Sequence, residues 1–216
     1  GEVIRLDNSG EQYLVDTLSG SYSSKVVVIA TGTHPRQLTV PQLPDDAGEL
    51  VFDEVYPLLG EQGKRIVIIG AGDAAFDYAL NLSRSNQVTI LNRGSQIKCL
   101  PLLWERALEK ETIRYLARHQ ITEISRVGKN RLKLSFHHPG GSGSLHVDYL
   151  IAAIGREPRL DFLDVGILSR LEELRREGSL YLIGDVKNDI FRQTSIAVGD
   201  GVRAAMKINM HINGKR

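Results

Sequence analysis

One stretch of this 216-residue chain, from Lys64 to Arg93, has the order apolar run, glycine turn, helix and second apolar run. Ile66 to Ile69 is a continuous β-branched segment, as in a parallel strand that is buried on both faces. The turn Gly70-Ala71-Gly72-Asp73-Ala74-Ala75 follows it, and a helix is predicted from Asp73 to Arg84. A strand, a helix and a further strand in this order predict an α/β fold with a parallel sheet.

The small residues of this turn have the spacing GxGxxA, which is typical of dinucleotide-binding turns. Gly70 allows the tight bend, Gly72 lets backbone amides approach a pyrophosphate, and Ala75 lets the helix pack closely on the strand. Asp73 and Ala74 begin the helix, whose free N–H groups would face the phosphates. The same spacing also occurs in ordinary loops, and the flanking strands and helix are what favour a nucleotide site.

The second strand, Val88 to Leu91, ends where the adenosine ribose lies in such units. An NAD site usually offers a carboxylate there, about twenty residues beyond the glycines. This chain offers Asn92 and Arg93 instead, with Lys98 nearby, and cationic side chains suit a 2′-phosphate. We therefore expect NADP(H), with NAD(H) as the alternative; a solvated arginine at a strand end would also explain Arg93.

Composition argues against several other classes of protein. The chain is 42% hydrophobic and 25% charged, which allows a sizeable core in one or two domains. Its formal net charge of +1 provides no general attraction to nucleic acid or an anionic membrane, and no apolar run approaches membrane-spanning length. Cys99 is the single cysteine, which is typical of a reducing, cytoplasmic location.

The six histidines are scattered, without the spacing of a metal site or a catalytic triad. We expect no metal site and place them on the surface or in loops: His34, His119, His137, His138, His146 and His211.

Further elements are predicted on both sides of the glycine unit. Before it come strands at Val3 to Leu6, Tyr13 to Asp16 and Lys25 to Ala30, then an exposed crossover from Pro35 to Pro44 with Asp45 and Asp46. After it come a helix from Leu102 to His119, a strand from Arg131 to Phe136, a turn from Pro139 to Ser144, an apolar segment from Leu145 to Ile154, a strand from Leu180 to Ile183 and a closing helix from about Thr194.

Three strand ends carry further motifs, namely VVVIATG at Val26 to Gly32, LIAAIGREP at Leu150 to Pro158 and SLYLIGD at Ser179 to Asp185. Together with Phe191-Arg192-Gln193-Thr194 and the helix behind it, their order resembles the FAD-dependent pyridine nucleotide-disulfide oxidoreductases. The resemblance is greatest to the thioredoxin reductases and to ferredoxin-NADP reductases of the thioredoxin-reductase type. It covers essentially the whole chain.

The resemblance implies a Rossmann-like, three-layer NAD(P)H-binding domain with a parallel sheet and a β-meander, inserted in an incomplete FAD-binding domain. The NAD(P)H-binding domain would span residues 46–149, and the discontinuous FAD-binding domain would span residues 1–45 and 150–216. Only one glycine-rich unit occurs in the chain, so Gly1 would fall inside the FAD domain. We therefore expect a fragment of a longer family member with compromised FAD binding.

The resemblance also assigns residues to the flavin. Asp185 would bind the ribityl chain, and the segment 192–194 would line the isoalloxazine; their ordinary alternatives are a turn aspartate and a helix N-cap. The second basic position of the family's 2′-phosphate motif is Gly94 here. The positions implied for the flavin and for the chain crossing between the domains are Thr31, Gly32, Gly155, Gly184, Asp185, Arg192, Gln193 and Thr194.

The implied function is hydride transfer from NADPH to FAD and then to an acceptor such as ferredoxin or flavodoxin, in a homodimer as is common in the family. Thioredoxin reductases carry a Cys-x-x-Cys where this chain has Val51 to Tyr56, so we expect no disulfide relay. Hydride transfer needs no side-chain acid or base, and we predict no catalytic residue. The alternative is a non-catalytic NAD(P)H-binding module, or a fragment that needs a separate FAD-binding segment.

Overall fold

The computed structural model describes residues 1–40 and 45–214. In chain order its strands are β1 (Val3–Asn8), β2 (Tyr13–Thr17), β3 (Gly20–Ser24), β4 (Val27–Ile29), β5 (Thr33–Pro35), β6 (Val51–Phe52), β7 (Arg65–Ile69), β8 (Gln87–Asn92), β9 (Ile113–Ala117), β10 (Gln120–Arg126), β11 (Leu132–His138), β12 (Gly141–Val147), β13 (Tyr149–Ala152), β14 (Arg156–Pro158) and β15 (Leu180–Leu182). Its helices are α1 (Asp73–Leu82), α2 (Pro101–Leu108), α3 (Val165–Ser169), α4 (Leu171–Glu177) and α5 (Thr194–Ile212).

The chain divides into two compact units. The central unit is Pro35–Gly155, and the terminal unit combines Gly1–His34 with Arg156–Arg216. Part of the predicted crossover, at positions 41–44, lies outside the described residues.

The central unit is built on a five-stranded parallel sheet in the order β6-β13-β7-β8-β9. Its middle strand, β7, is buried on both faces through Ile66, Val67 and Ile68, as its unbroken β-branched sequence predicts. On one face, α1 buries Phe76 and the small residues Ala75 and Ala79 against the sheet. Those alanines let the helix approach closely, which brings its first turn to the carboxyl end of β7.

An antiparallel meander, β10-β11-β12, covers the opposite face. Leu132, Leu134 and Phe136 alternate inward along β11, and the first two share a buried cluster with Val67 and Leu91 of the sheet. Helix, parallel sheet and meander therefore form three layers, and the predicted α/β Rossmann-like architecture is confirmed.

Two predicted elements of the central unit extend too far. The predicted helix from Leu102 to His119 is a short helix, α2, followed by strand β9, because Ile113–Ala117 pairs with β8 at the edge of the sheet. The predicted turn from Pro139 to Ser144 contains the start of β12. Gly143 pairs with Phe136 across the ladder, and a Cβ there would lie 2.7 Å from the aromatic ring, so this glycine serves cross-strand packing.

The terminal unit contains an antiparallel meander, β1-β2-β3, and a parallel pair, β15-β4. Leu6, Tyr13, Ile29 and Leu180 are buried together with residues of α3 and α4. The predicted strands at both ends of this unit are present, although β3, α3 and α4 were not predicted. Helix α5 begins at Thr194, as expected, and none of the described helices is long and apolar enough to span a membrane.

All six histidines are exposed or half-buried, in agreement with the surface prediction. Five of them lie in β5, β11, β12 and α5, and His119 lies between strands. Residues 1–40 and 45–214 contain no group of three or more His, Cys, Asp or Glu able to hold a metal ion.

Candidate functional site

Gly70 forms the bend between β7 and the first turn of α1. Its φ of 144° is one that other residues rarely adopt, and a Cβ there would collide with the carbonyl oxygen of Ala153 and lie 3.4 Å from the Ala75 Cβ. The Gly70 N–H donates to the Leu91 carbonyl at 2.9 Å. The bend is therefore held between the ends of three adjacent strands, β13, β7 and β8.

Gly72 is the N-cap of α1, and no side chain caps the helix. A Cβ at Gly72 would meet nothing within 4 Å, so the space in front of the helix is open. The Asp73 and Ala74 N–H groups precede the first intrahelical hydrogen bonds, which Ala75 and Phe76 donate to the Gly72 carbonyl. Open space in front of a positive helix end is what an anionic ligand requires.

The loop after β8 is tied to this turn by the segment 98–100. The Lys98 N–H donates to the Ala71 carbonyl at 2.8 Å, and Gly72 forms an isolated parallel bridge with Lys98. The Asp73 carboxylate accepts a hydrogen bond from the Leu100 N–H at 2.7 Å. Asp73 thus holds the loop, while the exposed Lys98 side chain is carried beside the glycine turn.

Asn92 ends β8, and its side chain is buried and used within the protein. Its amide donates to the Gln96 carbonyl at 3.0 Å and to the Tyr115 hydroxyl at 2.8 Å, and its carbonyl accepts from the Gly94 N–H at 3.0 Å. Asn92 therefore shapes the turn that presents Arg93. The Arg93 side chain is exposed and forms no ion pair or hydrogen bond within residues 1–40 and 45–214.

Cys99 is half-buried against the helix side of the sheet core. Burial and the nearby Asp73 carboxylate raise the pKa of its thiol. It is therefore protonated near neutral pH and a poor nucleophile.

In the terminal unit, β15 leads into a tight turn at Gly184, whose φ is 69°. Asp185 follows, half-buried, and its carboxylate has no hydrogen bond or ion pair among the described residues. This strand-end aspartate is thus available to an external donor.

Asp200, on α5, organises this turn and was missed in the sequence. Its carboxylate is 3% exposed and accepts hydrogen bonds from Lys187 (2.8 Å), Asn188 (2.6 Å), Arg203 (3.0 Å) and the Gly184 N–H (3.2 Å). The hydrogen bonds from Lys187 and Asn188 hold the pKa of Asp200 far below its ordinary value. The helical spacing from the buried Ala204 places Asp200 on the inward face of α5, and that periodicity could have revealed it.

The segment before α5 contains an unpaired polar group. The Arg192 Nε atom is buried without a hydrogen-bond partner among the described residues, while its Nη2 atom lies 3.5 Å from the Arg156 carbonyl. Gln193 is the N-cap of α5 and Thr194 its first residue, and no side chain caps the helix. A buried donor and an uncapped helix end both favour an acceptor atom that comes from outside the chain.

The remaining predicted residues tie chain segments together. The Thr31 hydroxyl donates to the Arg159 carbonyl at 2.6 Å, and the Gly32 carbonyl accepts from the Arg159 N–H at 3.0 Å. Gly155, in the central unit, has a φ of 104°, and its carbonyl accepts from the Arg36 N–H at 3.0 Å. The structure therefore groups the residues around Gly70 and Arg93 in one unit and those around Asp185 and Arg192 in the other.

The sequence model of the pyridine nucleotide-disulphide oxidoreductase family matches residues 1–201. The chain belongs to this family. Family members are oxidoreductases that bind FAD and NADPH. Within the family, the chain resembles the thioredoxin reductases in particular.

Relatives of the chain include a thioredoxin reductase from Bacillus subtilis, which is 26% identical over 98% of this chain and 71% of the relative. A ferredoxin-NADP reductase from Ignicoccus hospitalis is 31% identical over 72% of this chain and 52% of the relative. Among solved structures, the Lactococcus lactis thioredoxin reductase superposes with a TM-score of 0.83 at 23% identity, covering 99% of this chain and 75% of that one. The superposition on the Lactococcus lactis structure supports the α/β fold described above.

Proposed function

We propose that the chain takes part in electron transfer from NADP(H) to FAD and onward to a protein acceptor such as ferredoxin or flavodoxin. The central unit binds the dinucleotide, with its pyrophosphate at Gly72 and its 2′-phosphate near Arg93 and Lys98. The terminal unit contributes Asp185 and the segment 192–194 to the flavin site. The 31% identity to a ferredoxin-NADP reductase and the absence of a second cysteine from the sequence favour such an acceptor over a dithiol relay.

The observation that carries the proposal is the geometry of the glycine turn. Gly70 is required by the close approach of Ala153, whereas Gly72 faces open space in front of an uncapped helix. The first glycine serves the fold, and the second has no packing partner that would explain it. Free space at Gly72 and the positive start of a helix without a side-chain cap together suit a pyrophosphate.

The flavin assignment rests on the chemistry of the donors and acceptors that the terminal unit leaves unused. The Asp185 carboxylate can accept hydrogen bonds from ribityl hydroxyls, and the buried Arg192 Nε can donate one. The N-terminus of α5 favours negative charge near it. A flavin held by Asp185 and the segment 192–194 would supply a hydride acceptor for the nicotinamide and an electron donor for the protein acceptor.

Replacing Arg93 with alanine tests the dinucleotide assignment. We expect NADPH binding to weaken by about 1 to 3 kcal/mol, the scale of hydrogen bonds to charged groups, while NADH binding is unchanged. Parallel calorimetric titrations of the wild-type chain and the variant with both cofactors measure this. Equal weakening of the two cofactors would contradict the assignment of Arg93 to the 2′-phosphate.

Replacing Asp185 with asparagine tests the flavin assignment. We expect FAD affinity to fall about tenfold, since a carboxylate accepts hydrogen bonds from hydroxyls more strongly than an amide does. Asp189→Asn, in the same loop, is the matched control and should bind FAD like the wild type. FAD titrations followed by flavin fluorescence report the affinity, and unchanged FAD affinity in Asp185→Asn would argue against this site.

Turnover is measured as NADPH-dependent dye reduction with added FAD. Dye reduction supports the oxidoreductase. Saturable NADPH binding without any dye reduction supports the alternative of a non-catalytic nucleotide-binding module.

A further inference from the structure

Arg118 directly follows β9 and has a backbone conformation that is uncommon for a long side chain. Its φ is 57°, in the left-handed region that glycine and asparagine adopt more readily. Along an extended strand, successive N–H groups face opposite edges. At this strand end both N–H groups face the end of β8 and the turn after it. Arg118 donates to the Gly94 carbonyl at 2.8 Å, and His119 donates to the Asn92 carbonyl at 2.9 Å.

These two hydrogen bonds place Arg118 beside the turn that carries Arg93. Gly94 leaves a gap there, because a Cβ at this position would have only the Asn92 side-chain oxygen within 4 Å, at 3.8 Å. The segment 92–98 contains no acidic residue, and Arg93, Lys98 and Arg118 are all exposed. Positive charge therefore collects at the carboxyl ends of β8 and β9.

Contacts within the described residues do not account for an arginine at position 118. Its guanidinium forms no ion pair or hydrogen bond with residues 1–40 or 45–214, and glycine or asparagine would adopt the same backbone with less strain. A planar guanidinium that is free on a strand end suits a phosphate, which it can bind through two parallel N–H groups.

We propose that Arg118 is a specificity-determining residue that binds the 2′-phosphate of NADP(H) together with Arg93, across the gap at Gly94. The proposal rests on the NADP(H) site proposed above. It adds a second cation, which comes from the neighbouring strand end rather than from the turn after β8.

The test compares Arg118→Asn with Arg114→Ala in the full chain. Asparagine tolerates the left-handed backbone, so the first variant keeps the turn while losing the charge. Arg114 is an exposed arginine of the same strand and serves as the matched control. NADPH, NADH, 2′,5′-ADP and 5′-AMP are titrated calorimetrically against each variant.

We expect Arg118→Asn to lower the affinity for NADPH and for 2′,5′-ADP about tenfold or more, while NADH and 5′-AMP bind as before. Arg114→Ala should leave all four ligands unchanged. Arg118→Lys, which keeps the charge but not the planar fork, should fall between Arg118→Asn and the wild type. Thermal unfolding of each variant shows that the fold is retained.

The outcomes separate this inference from the proposed function. If Arg93→Ala loses affinity for NADPH but not for NADH, while Arg118→Asn keeps its affinity for both, the inference is overturned and the NADP(H) site stands. If the wild-type chain binds neither NADPH nor NADH, or binds the two equally well, the inference and the proposed NADP(H) site are both overturned. A smaller combined loss in the double variant than the sum of the single losses would support two arginines binding one phosphate.

Discussion

Replacing Gly70 with alanine is expected to lower the free energy of unfolding by about 3 kcal/mol and to abolish dinucleotide binding. The added methyl group would collide with the Ala153 carbonyl, and the φ of 144° would be strained for any side chain. The strand end and the helix start would both have to move. Urea unfolding and NADPH titration of the same preparation measure the two effects.

Gly72→Ala is the informative counterpart to that variant. The Gly72 φ of −97° and ψ of −178° suit alanine, so the free energy of unfolding should change by less than about 1 kcal/mol. The added methyl group would enter the space where the pyrophosphate is proposed to bind. Gly60→Ala, at an exposed position with nothing within 4 Å, should affect neither property. NADPH binding by Gly72→Ala that equals the wild type would contradict the pyrophosphate assignment.

Replacing Asp200 with asparagine is expected to destabilise the chain by about 3 kcal/mol. The carboxylate balances Lys187 and Arg203 and also binds the Gly184 N–H, and an amide cannot satisfy all these donors. Chemical denaturation of Asp200→Asn measures the loss, with Asp189→Asn as the exposed control. Wild-type stability in Asp200→Asn would show that the buried carboxylate contributes nothing net.

We also expect Asp200→Asn to change the way in which the stability of the chain depends on pH. Because the folded pKa of Asp200 is depressed, its contribution is fully present above the unfolded value of about 3.9 and is lost as the pH falls toward the folded pKa. Wild-type stability should therefore decline on acidification below about pH 5 more steeply than that of Asp200→Asn. Parallel slopes in denaturation series across this range would refute the linkage.

The glycine unit could be predicted closely because its signals are local. A β-branched run, a glycine turn and a small-residue helix face all lie within thirty residues of sequence, and β7, α1 and β8 begin or end within two residues of the predicted bounds. Propensity and spacing agree there with the tertiary structure.

The sequence of β9 predicts a helix, because the strand forms only through pairing with a segment that is distant in the sequence. Ile113–Ala117 has apolar residues that also suit a helix, and only its pairing with β8 selects the strand. The glycines and serines of β12 favour a turn in the same way until Phe136 packs over Gly143.

The site shows the same division between local and non-local information. The residues around Gly70 follow from spacing, whereas the role of Asp200 depends mainly on the Gly184, Lys187 and Asn188 donors, which lie 12 to 16 residues away in the sequence. The proximity of Arg118 to Arg93 depends on the pairing of two strand ends, and the order of residues in the sequence does not predict that pairing.

The hydrogen bonds of Lys98 and Leu100 to the glycine turn have a further consequence for the energetics of binding. They join the loop that carries the proposed 2′-phosphate contacts to the turn proposed for the pyrophosphate, before any ligand arrives. The conformational entropy of ordering this loop is therefore lost when the chain folds, not when the dinucleotide binds. The amide hydrogens of Lys98 and Leu100 should accordingly exchange slowly with solvent even in the ligand-free protein.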